Sequence, residues 1–246
     1  IAEFTGMAVI FIVIHYKGIT QKFSLFNHIK WDGINARRIL TFSWPLIFQL
    51  AISIISWEYF YILIEHHGQD ALAVSNVMRN IFGLVGCITW AFAATSATMV
   101  SNVIGQGRKD EVQFLIRKIV KLSTGSSLII TIMINIFPAQ LLSIFGQGET
   151  FIVSGIPVVR VVTIAMVLMS FAVVWLNAVT GTGNTRVTFL IELIAIIIYC
   201  VYVYLALEKY FLSIMYGWMA EWLYWTGMFT MSFFYILSGK WKGKVI

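Results

Sequence analysis

Seven apolar runs, separated by short polar turns, make up most of the chain. Six of them cover residues 39–64, 71–104, 112–145, 156–179, 187–207 and 211–237. A helix needs about 20 residues to cross the hydrocarbon core of a bilayer, so each of these six is long enough to span a membrane. The first run, residues 1–16, looks like the end of a span, and we expect the chain to be the C-terminal part of a longer protein. The pattern predicts an all-α polytopic membrane helix bundle of seven spans, the first one partial.

The composition agrees with a membrane location. Hydrophobic residues make up 59% of the chain, charged residues make up 11%, and the mean hydropathy is +0.86. Soluble domains carry about 25% charged residues, so the sequence indicates an integral membrane protein. The net charge of +6 does not indicate a nucleic-acid partner, because the basic residues are dispersed among the turns. Cys87 and Cys200 lie within apolar runs and are interpreted as small buried residues.

The distribution of lysine and arginine predicts how the chain is oriented in the membrane. Basic residues collect on the cytoplasmic side of membrane proteins. If the basic turn at residues 105–111 is cytoplasmic, then the segment 17–38, the turn at Arg186 and the C-terminal tail are cytoplasmic as well. That side carries fourteen lysines and arginines, whereas only Lys209 falls on the outer side. We therefore expect a multi-pass protein of the inner (plasma) membrane whose C-terminus is cytoplasmic.

The polar turns carry short motifs in a characteristic order. They are Pro45 at the start of a run that closes at Gly68, then Ala71-Leu72-Ala73, then Gly105-Gln106-Gly107, and later Gly181-Thr182-Gly183-Asn184-Thr185-Arg186. A tryptophan-rich run and a short basic tail follow. The order and spacing of these motifs over nearly the whole chain resemble those of the MATE (multidrug and toxic compound extrusion) transporters.

The resemblance implies that the seven runs are helices six to twelve of a twelve-helix transporter with two lobes. Residues 1–16 would end the last helix of the N-terminal lobe, 17–38 would form the cytoplasmic linker between the lobes, 39–238 would form the C-terminal six-helix lobe, and 239–246 would be a basic cytoplasmic tail. Members of the family export lipophilic organic cations in exchange for H⁺ or Na⁺ by alternating access. The resemblance therefore implies a transporter and not an enzyme, with no cofactor besides the coupling ion. Its partners would be organic cations, the lipid bilayer and the N-terminal lobe.

The chain departs from the family pattern at two positions. Many members carry a carboxylate in helix seven, where this chain has Ser53, and some carry an aspartate in helix ten, where it has Met169. The coupling chemistry of those members cannot be transferred to these positions. Acidic residues elsewhere in the spans are the candidates instead.

Three carboxylates lie within the predicted spans, namely Glu58, Glu192 and Glu221. A charge at the centre of a bilayer costs at least about 2.5–3.5 kcal/mol on insertion scales, so each needs a partner, water or a proton. Glu58 lies ten residues before Gly68 and Arg79 lies eleven residues after it. At a rise of about 1.5 Å per residue, both lie about 15 Å from that turn. We expect an ion pair between Glu58 and Arg79, either as a packing contact or as part of ion coupling.

Glu221 has aromatic neighbours at helical spacing, since Trp218, Tyr224 and Trp225 lie three or four residues away. A carboxylate beside aromatic faces suits a desolvated organic cation through charge and cation–π attraction. These four residues are therefore candidates for a cation or substrate site, and hydrogen bonding between helices is the alternative. Glu192, near the start of its run, either titrates during transport or pairs with a hydroxyl group or a basic residue.

Uncharged polar residues also lie within the spans. They are Gln49, Ser53, Asn76, Asn102, Asn135 and Asn177. Such side chains usually hydrogen-bond between helices for about 0.6 kcal/mol each, and Asn76 and Asn177 are also candidates for the substrate cavity. Several methionines either line an adaptable pocket or pack the core. His66 and His67 point in different directions on a helix, so no metal site is predicted.

Other functions are weighed against an exporter. A lipid-linked oligosaccharide flippase of the same broad superfamily would need several cationic residues in its cavity, but only Arg79 and Arg160 lie within spans. A membrane-embedded enzyme would need clustered catalytic residues at one interface, which the sequence lacks. An inactive half-transporter fragment is a further alternative. The intramembrane acids and the aromatic and methionine-rich spans favour an exporter of cations.

Overall fold

The computed structural model describes residues 2–23, 32–146 and 148–243, and these ranges are largely helical and contain no β-strand. Their α-helices are α1 (Ala2–Tyr16), α2 (Ile19–Phe23), α3 (Gly33–Glu65), α4 (Gln69–Gly105), α5 (Val112–Ile136), α6 (Pro138–Ser143), α7 (Glu149–Gly181), α8 (Thr185–Val203), α9 (Ile214–Trp218) and α10 (Ala220–Leu237). A 3₁₀ turn at Lys109–Glu111 precedes α5, and a π-helical segment at Tyr204–Lys209 continues α8. Parts of the predicted linker (24–31) and of the predicted tail (244–246) lie outside the described residues.

The chain divides into two compact units, Ile1–Thr41 and Phe42–Ile246. The first unit contains α1, α2 and the beginning of α3. In this unit Asp32 caps α3, because its carboxylate accepts hydrogen bonds from the backbone N–H groups of Ile34 at 3.0 Å and Asn35 at 3.1 Å. Such a cap satisfies N–H groups that have no partner within the helix. The helix therefore begins before the apolar run that predicts it.

Five helices among the described residues are long and apolar enough to cross a membrane. They are Gly33–Glu65, Gln69–Gly105, Lys109–Ile136, Glu149–Gly181 and Thr185–Lys209. A shorter apolar helix at Phe4–Tyr16 corresponds to the partial first span. These helices confirm the predicted all-α membrane bundle.

Two predicted spans are divided in the structure. The run at residues 112–145 is interrupted after Ile136, and a new helix begins at Pro138. Proline has no N–H group to donate to the preceding turn, but it is accommodated at the first position of a helix. The run at residues 211–237 is divided at Met219 into α9 and α10. Each of these two runs therefore contains two helices.

Helix α7 is the centre of the second unit. It contacts α4, α5, α6, α8, α9 and α10, and most of its length is buried. Small residues let α4 approach it closely, since a Cβ atom at Gly181 would lie 2.6 Å from the carbonyl oxygen of Ala97. The hydroxyl group of Ser96 donates a hydrogen bond to the carbonyl oxygen of Val174 at 3.0 Å. Close packing of small residues and hydrogen bonds of this kind hold helices together in lipid.

Contacts between turns show which of them share an end of the bundle. Lys242, after α10, pairs with Asp110, before α5, at 2.6 Å. The Lys109 ammonium group also donates to the carbonyl oxygen of Lys242 at 2.6 Å. His66, after α3, contacts Glu208, after α8, at 2.9 Å. The turn after α4 therefore lies beside the tail, and the α3–α4 turn lies beside the segment after α8, as the charge distribution predicts.

Candidate functional site

A cavity of about 550 Å³ lies in the second unit between α3, α4, α7, α8 and α10. Its volume falls within the range of about 300–1,000 Å³ that is usual for small-molecule sites, and such sites combine apolar walls with a few polar groups. The polar and charged lining residues are Gln49, Ser53, Glu58, Arg79, Asn177, Thr180, Thr188 and Glu192. The aromatic and methionine lining residues are Trp57, Phe82, Trp90, Tyr224, Trp225, Met169 and Met228.

Glu192 is the acidic residue that is buried in the cavity wall, with 6% of its surface exposed. The Tyr224 hydroxyl group donates a hydrogen bond to its Oε1 at 3.1 Å, and the Gln49 amide group donates one to its Oε2. Of the two predicted kinds of partner, the structure thus provides a hydroxyl group. No basic residue forms an ion pair with Glu192 among the described residues. Its carboxyl group is therefore held by neutral side chains and not by a basic residue among the described residues.

The predicted ion pair between Glu58 and Arg79 is not formed. Both side chains line the same cavity, in keeping with their matching distances from the turn, but the ion pairs within 4.0 Å in the described ranges do not include them. The guanidinium carbon of Arg79 instead lies 5.8 Å from the ring centre of Trp57 and 5.3 Å from that of Tyr61. Aromatic faces attract a guanidinium group, and both charged side chains are exposed. Arg79 and Glu58 therefore do not serve as each other's partner.

Glu221 lies outside the cavity wall, in the interior of the bundle. Only 1% of its surface is exposed, so it does not face lipid. Tyr199 and Trp225 lie beside its carboxyl group. In the part of the chain that the structure describes, Oε2 of Glu221, the Tyr199 hydroxyl group and the Trp225 indole N–H group have no hydrogen-bond partner. Glu221 is therefore not itself part of the cavity wall, although its neighbour Trp225 is.

The three aromatic candidates near Glu221 occupy different positions. Trp218 is fully buried, and its indole N–H group donates to the Ser75 hydroxyl group at 3.2 Å, so it belongs to the core. Tyr224 and Trp225 line the cavity. Their ring centres are 4.8 Å apart, and the Trp225 ring stacks against Phe82 at 6.5 Å. The two rings thus form one continuous aromatic wall on α10.

The two candidate asparagines are also separated. Asn177 lines the cavity, and its amide group donates to the carbonyl oxygen of Val173 at 2.9 Å. Asn76 is exposed on α4 and is not part of the cavity wall. Ser53 and Met169, the positions where the family resemblance leads one to expect acids, both line the cavity. The cavity therefore includes both of these positions, but its buried acid is Glu192.

The α3 wall of the cavity contains residues that were not predicted as ligand contacts. Gln49, Ser53 and Trp57 are four residues apart and share one helical face, and all three line the cavity. This spacing is a signal in the sequence that could have identified the face. Trp90 also lines the cavity, and no comparable signal distinguishes it from other tryptophans.

The adjacent histidines have structural contacts. His66 contacts Glu208, and the ring of His67 stacks on Phe211 with 4.2 Å between the ring centres. The Nε2 atom of His67 also contacts the carbonyl oxygen of Leu207 at 3.0 Å. Within the described ranges no group of three or more His, Cys, Asp or Glu side chains is placed to hold a metal ion.

The chain resembles known proteins in both its sequence and its fold. The family model described as MatE matches residues 45–205, which include the cavity walls on α3, α4, α7 and α8. The Probable multidrug resistance protein NorM of Thermotoga maritima is 26% identical over an alignment of 187 residues, which covers 73% of this chain and 39% of that protein. The chain thus spans less than half the length of this relative.

Solved structures show the same fold. The MATE transporter VcmN of Vibrio cholerae, in its bent form, has a TM-score of 0.77 at 14% identity, over 84% of this chain and 47% of that one. A MOP superfamily transporter from Pyrococcus furiosus has a TM-score of 0.70 at 16% identity, over 82% of this chain and 44% of that one. In both proteins the matching part again covers less than half of the chain.

Proposed function

Because the chain belongs to the MatE family of membrane transporters, we propose that it forms one lobe of a secondary-active multidrug exporter. The lobe binds lipophilic organic cations in its cavity, and the transporter exports them in exchange for H⁺ or Na⁺. One observation carries the proposal. Glu192 is a buried carboxylate on the cavity wall, and its hydrogen-bond partners are neutral donors and not a basic residue within the described ranges.

The walls of the cavity suit both the positive charge and the apolar surface of a lipophilic cation. The carboxylate of Glu192 compensates a positive charge that has left water. Trp57, Trp90 and Trp225 present aromatic surface to the same space, and aromatic faces attract cations most strongly where water is excluded. The methionines of the wall supply flexible apolar surface that adapts to ligands of different shape.

Competition for Glu192 would link export to the ion gradient. A buried carboxylate in a membrane needs a proton, a cation or a polar partner. H⁺ or Na⁺ neutralises Glu192 after the organic cation has left, and the organic cation displaces the ion on the next cycle. Because both ligands compensate the same charge, they exclude each other, and exclusion of this kind is what exchange requires.

The proposal includes a second lobe. The relatives that match are more than twice as long as their matching part, and transporters of this general type move one repeat against another around a central site. Glu58, Arg79 and Trp90 line the cavity but are exposed in this lobe. A second lobe would cover them and close the cavity. The protein would lie in the plasma membrane with its C-terminus in the cytoplasm, as the distribution of basic residues indicates.

The charge of the cavity favours an exporter over a flippase. Arg79 is the only basic residue among the described lining residues, whereas Glu58 and Glu192 are acidic. A site for a pyrophosphate-linked lipid needs several positive charges to balance its ligand. The cavity instead carries an excess of negative charge, which fits a cationic substrate.

The test is ethidium efflux from pump-deficient bacteria that express the full-length parent protein. We expect wild type to export ethidium and Glu192→Gln to lose about tenfold or more of the efflux rate, since about 1.4 kcal/mol of lost binding corresponds to a factor of ten. The matched control is Glu149→Gln, an exposed acid at the start of α7 and outside the cavity wall, which should export normally. Membrane levels of each variant are compared by immunoblotting.

Two results would contradict the proposal. Wild type that exports neither ethidium nor other organic cations would argue against a multidrug exporter. Normal export by Glu192→Gln at normal membrane level would show that Glu192 is not the cation site.

A further inference from the structure

Glu221 is a buried acid that the proposed cation site does not use. It lies in the first turn of α10, and only 1% of its surface is exposed. Its Oε2 atom has no hydrogen-bond partner, and it belongs to no ion pair among the described residues. An isolated carboxylate in an apolar interior is so costly that the group takes up a proton instead.

The groups that face Glu221 from neighbouring helices do not supply a counter-charge. Its titratable neighbours are Tyr61 of α3, Tyr199 of α8 and Tyr224 of α10. The Tyr61 hydroxyl group donates a hydrogen bond to the carbonyl oxygen of Ser75 at 2.9 Å. The Tyr224 hydroxyl group donates its hydrogen bond to Glu192. On the remaining helices packed nearby, the titratable side chains Arg79, Arg160 and Tyr216 are exposed.

Two donors remain beside the carboxyl group of Glu221. The Tyr199 hydroxyl group and the Trp225 indole N–H group lie next to it, are buried, and have no partner within the described ranges. Hydrogen bonds from such donors stabilise the charged form of a carboxyl group. The surroundings of Glu221 therefore accommodate the neutral acid and place two donors within reach of the anion.

Trp225 connects this group to the cavity. Its ring lines the cavity wall, while its N–H group lies beside Glu221. Turning the indole so that its N–H group donates to a carboxylate would also change the surface that a ligand in the cavity touches. The protonation of Glu221 and the shape of the cavity are therefore linked through one side chain.

We propose that Glu221 is a proton-binding site of this lobe and that Trp225 couples its protonation to occupancy of the cavity. In the proposed resting state the carboxyl group carries its proton. On release the O–H bond breaks, the electron pair stays on the carboxylate, the proton passes to water in the cavity, and Tyr199 and Trp225 donate to the new anion. The coupling rests on the proposed function, because it needs a cation in the cavity, whereas the proton site does not.

The two buried acids, Glu192 and Glu221, have different surroundings and therefore different proposed roles. Glu192 accepts two hydrogen bonds and faces the cavity, so it is the charge that a cation compensates. Glu221 accepts no hydrogen bond at Oε2 and lies behind Trp225 of the cavity wall, so it is the acid that stores a proton. Environments that differ in this way are how two carboxyl groups in one protein take on separate roles.

The proton site is tested by infrared spectroscopy of the full-length parent protein in lipid. We expect wild type at neutral pH to show the absorption of a protonated carboxyl group that Glu221→Gln lacks and Glu149→Gln keeps. If Glu221→Gln does not fold, Tyr199→Phe provides the test. It removes one of the two donors, so the band should persist and should titrate at higher pH than in wild type. An unchanged spectrum in Glu221→Gln, or an unchanged titration in Tyr199→Phe, would overturn the proton site.

The coupling is tested by repeating the titration of this band with saturating ethidium. We expect ethidium to shift the midpoint in wild type, and we expect Trp225→Phe, which keeps an aromatic ring but has no N–H group, to keep the band and lose the shift. Ethidium that binds to wild type without a shift would overturn the coupling. Wild type that binds no ethidium would overturn the proposed function, while the band without ethidium would still decide the proton site.

Discussion

The hydroxyl group of Tyr224 donates a hydrogen bond to Oε1 of Glu192 across 3.1 Å. Tyr224 is on α10 and Glu192 is on α8, so the contact joins two helices at the cavity wall. A second donor, the amide group of Gln49, reaches the same carboxylate from α3. Residues of three helices thus surround one buried carboxyl group in a mostly apolar wall. The two donors would stabilise its charged form in the absence of a basic partner.

Removing this hydroxyl group should impair transport mainly at acidic pH. Tyr224→Phe keeps the ring but takes away a hydrogen bond to a charged group, which is worth about 1.5–3 kcal/mol. Protons then compete better for Glu192, so we expect ethidium efflux to fall by about tenfold or more at acidic pH and by less at alkaline pH. Efflux rates over a pH series measure this, and Tyr210→Phe, an exposed tyrosine outside the cavity wall, serves as the control. An equal loss at every pH would indicate a packing role instead.

Glu58 and Arg79 should behave as independent residues. Because they form no ion pair, the effects of Glu58→Gln and Arg79→Gln on the free energy of unfolding should add to within about 0.5 kcal/mol. The measurement is a double-mutant cycle on the purified full-length parent, followed by thermal unfolding in detergent. Each single variant acts as a control for the other. A coupling energy above about 1 kcal/mol would show that the ion pair predicted from the sequence forms in solution.

The close approach of α4 and α7 should make Gly181 intolerant of a side chain. A Cβ atom there would lie 2.6 Å from the carbonyl oxygen of Ala97, and overpacking of this kind costs about 1–3 kcal/mol. We expect Gly181→Ala to lower the melting temperature of the parent protein. Gly125→Ala is the matched control, because a Cβ atom at Gly125 would meet nothing within 4 Å and alanine favours the helix. Equal melting temperatures for the two variants would contradict the close contact.

The proposed orientation predicts which turns are accessible from each side. In a background with Cys87 and Cys200 replaced by serine, Asp110→Cys should react with a membrane-impermeant thiol reagent only after the cells are opened. His66→Cys should react in intact cells. Both positions are exposed, so the side of the membrane on which each lies decides whether the reagent reaches it. Labelling of Asp110→Cys in intact cells would contradict a cytoplasmic C-terminus, because Asp110 pairs with Lys242 of the tail.

The sequence by itself determined that the chain is a helical membrane protein, how many apolar segments it has and where most of its helices lie. These properties are local, because hydropathy and the need to satisfy backbone hydrogen bonds in lipid act within each segment. Local rules also account for the exceptions. The predicted span at residues 112–145 ends early at Pro138, and Asp32 starts α3 before its apolar run. Each of these helix boundaries can be explained by a single residue, Pro138 or Asp32.

Only the tertiary structure decided which polar residues share a cavity. Spacing placed Glu58 and Arg79 at the same depth, and both line the cavity, yet Arg79 turns to aromatic rings and not to Glu58. Spacing also grouped Glu221 with Tyr224 and Trp225, yet the carboxyl group lies in the core while both rings line the cavity. Distance along a helix determines depth and face, but the rotation of each helix and the packing of its neighbours decide what that face meets. Those depend on contacts between residues that are far apart in the chain.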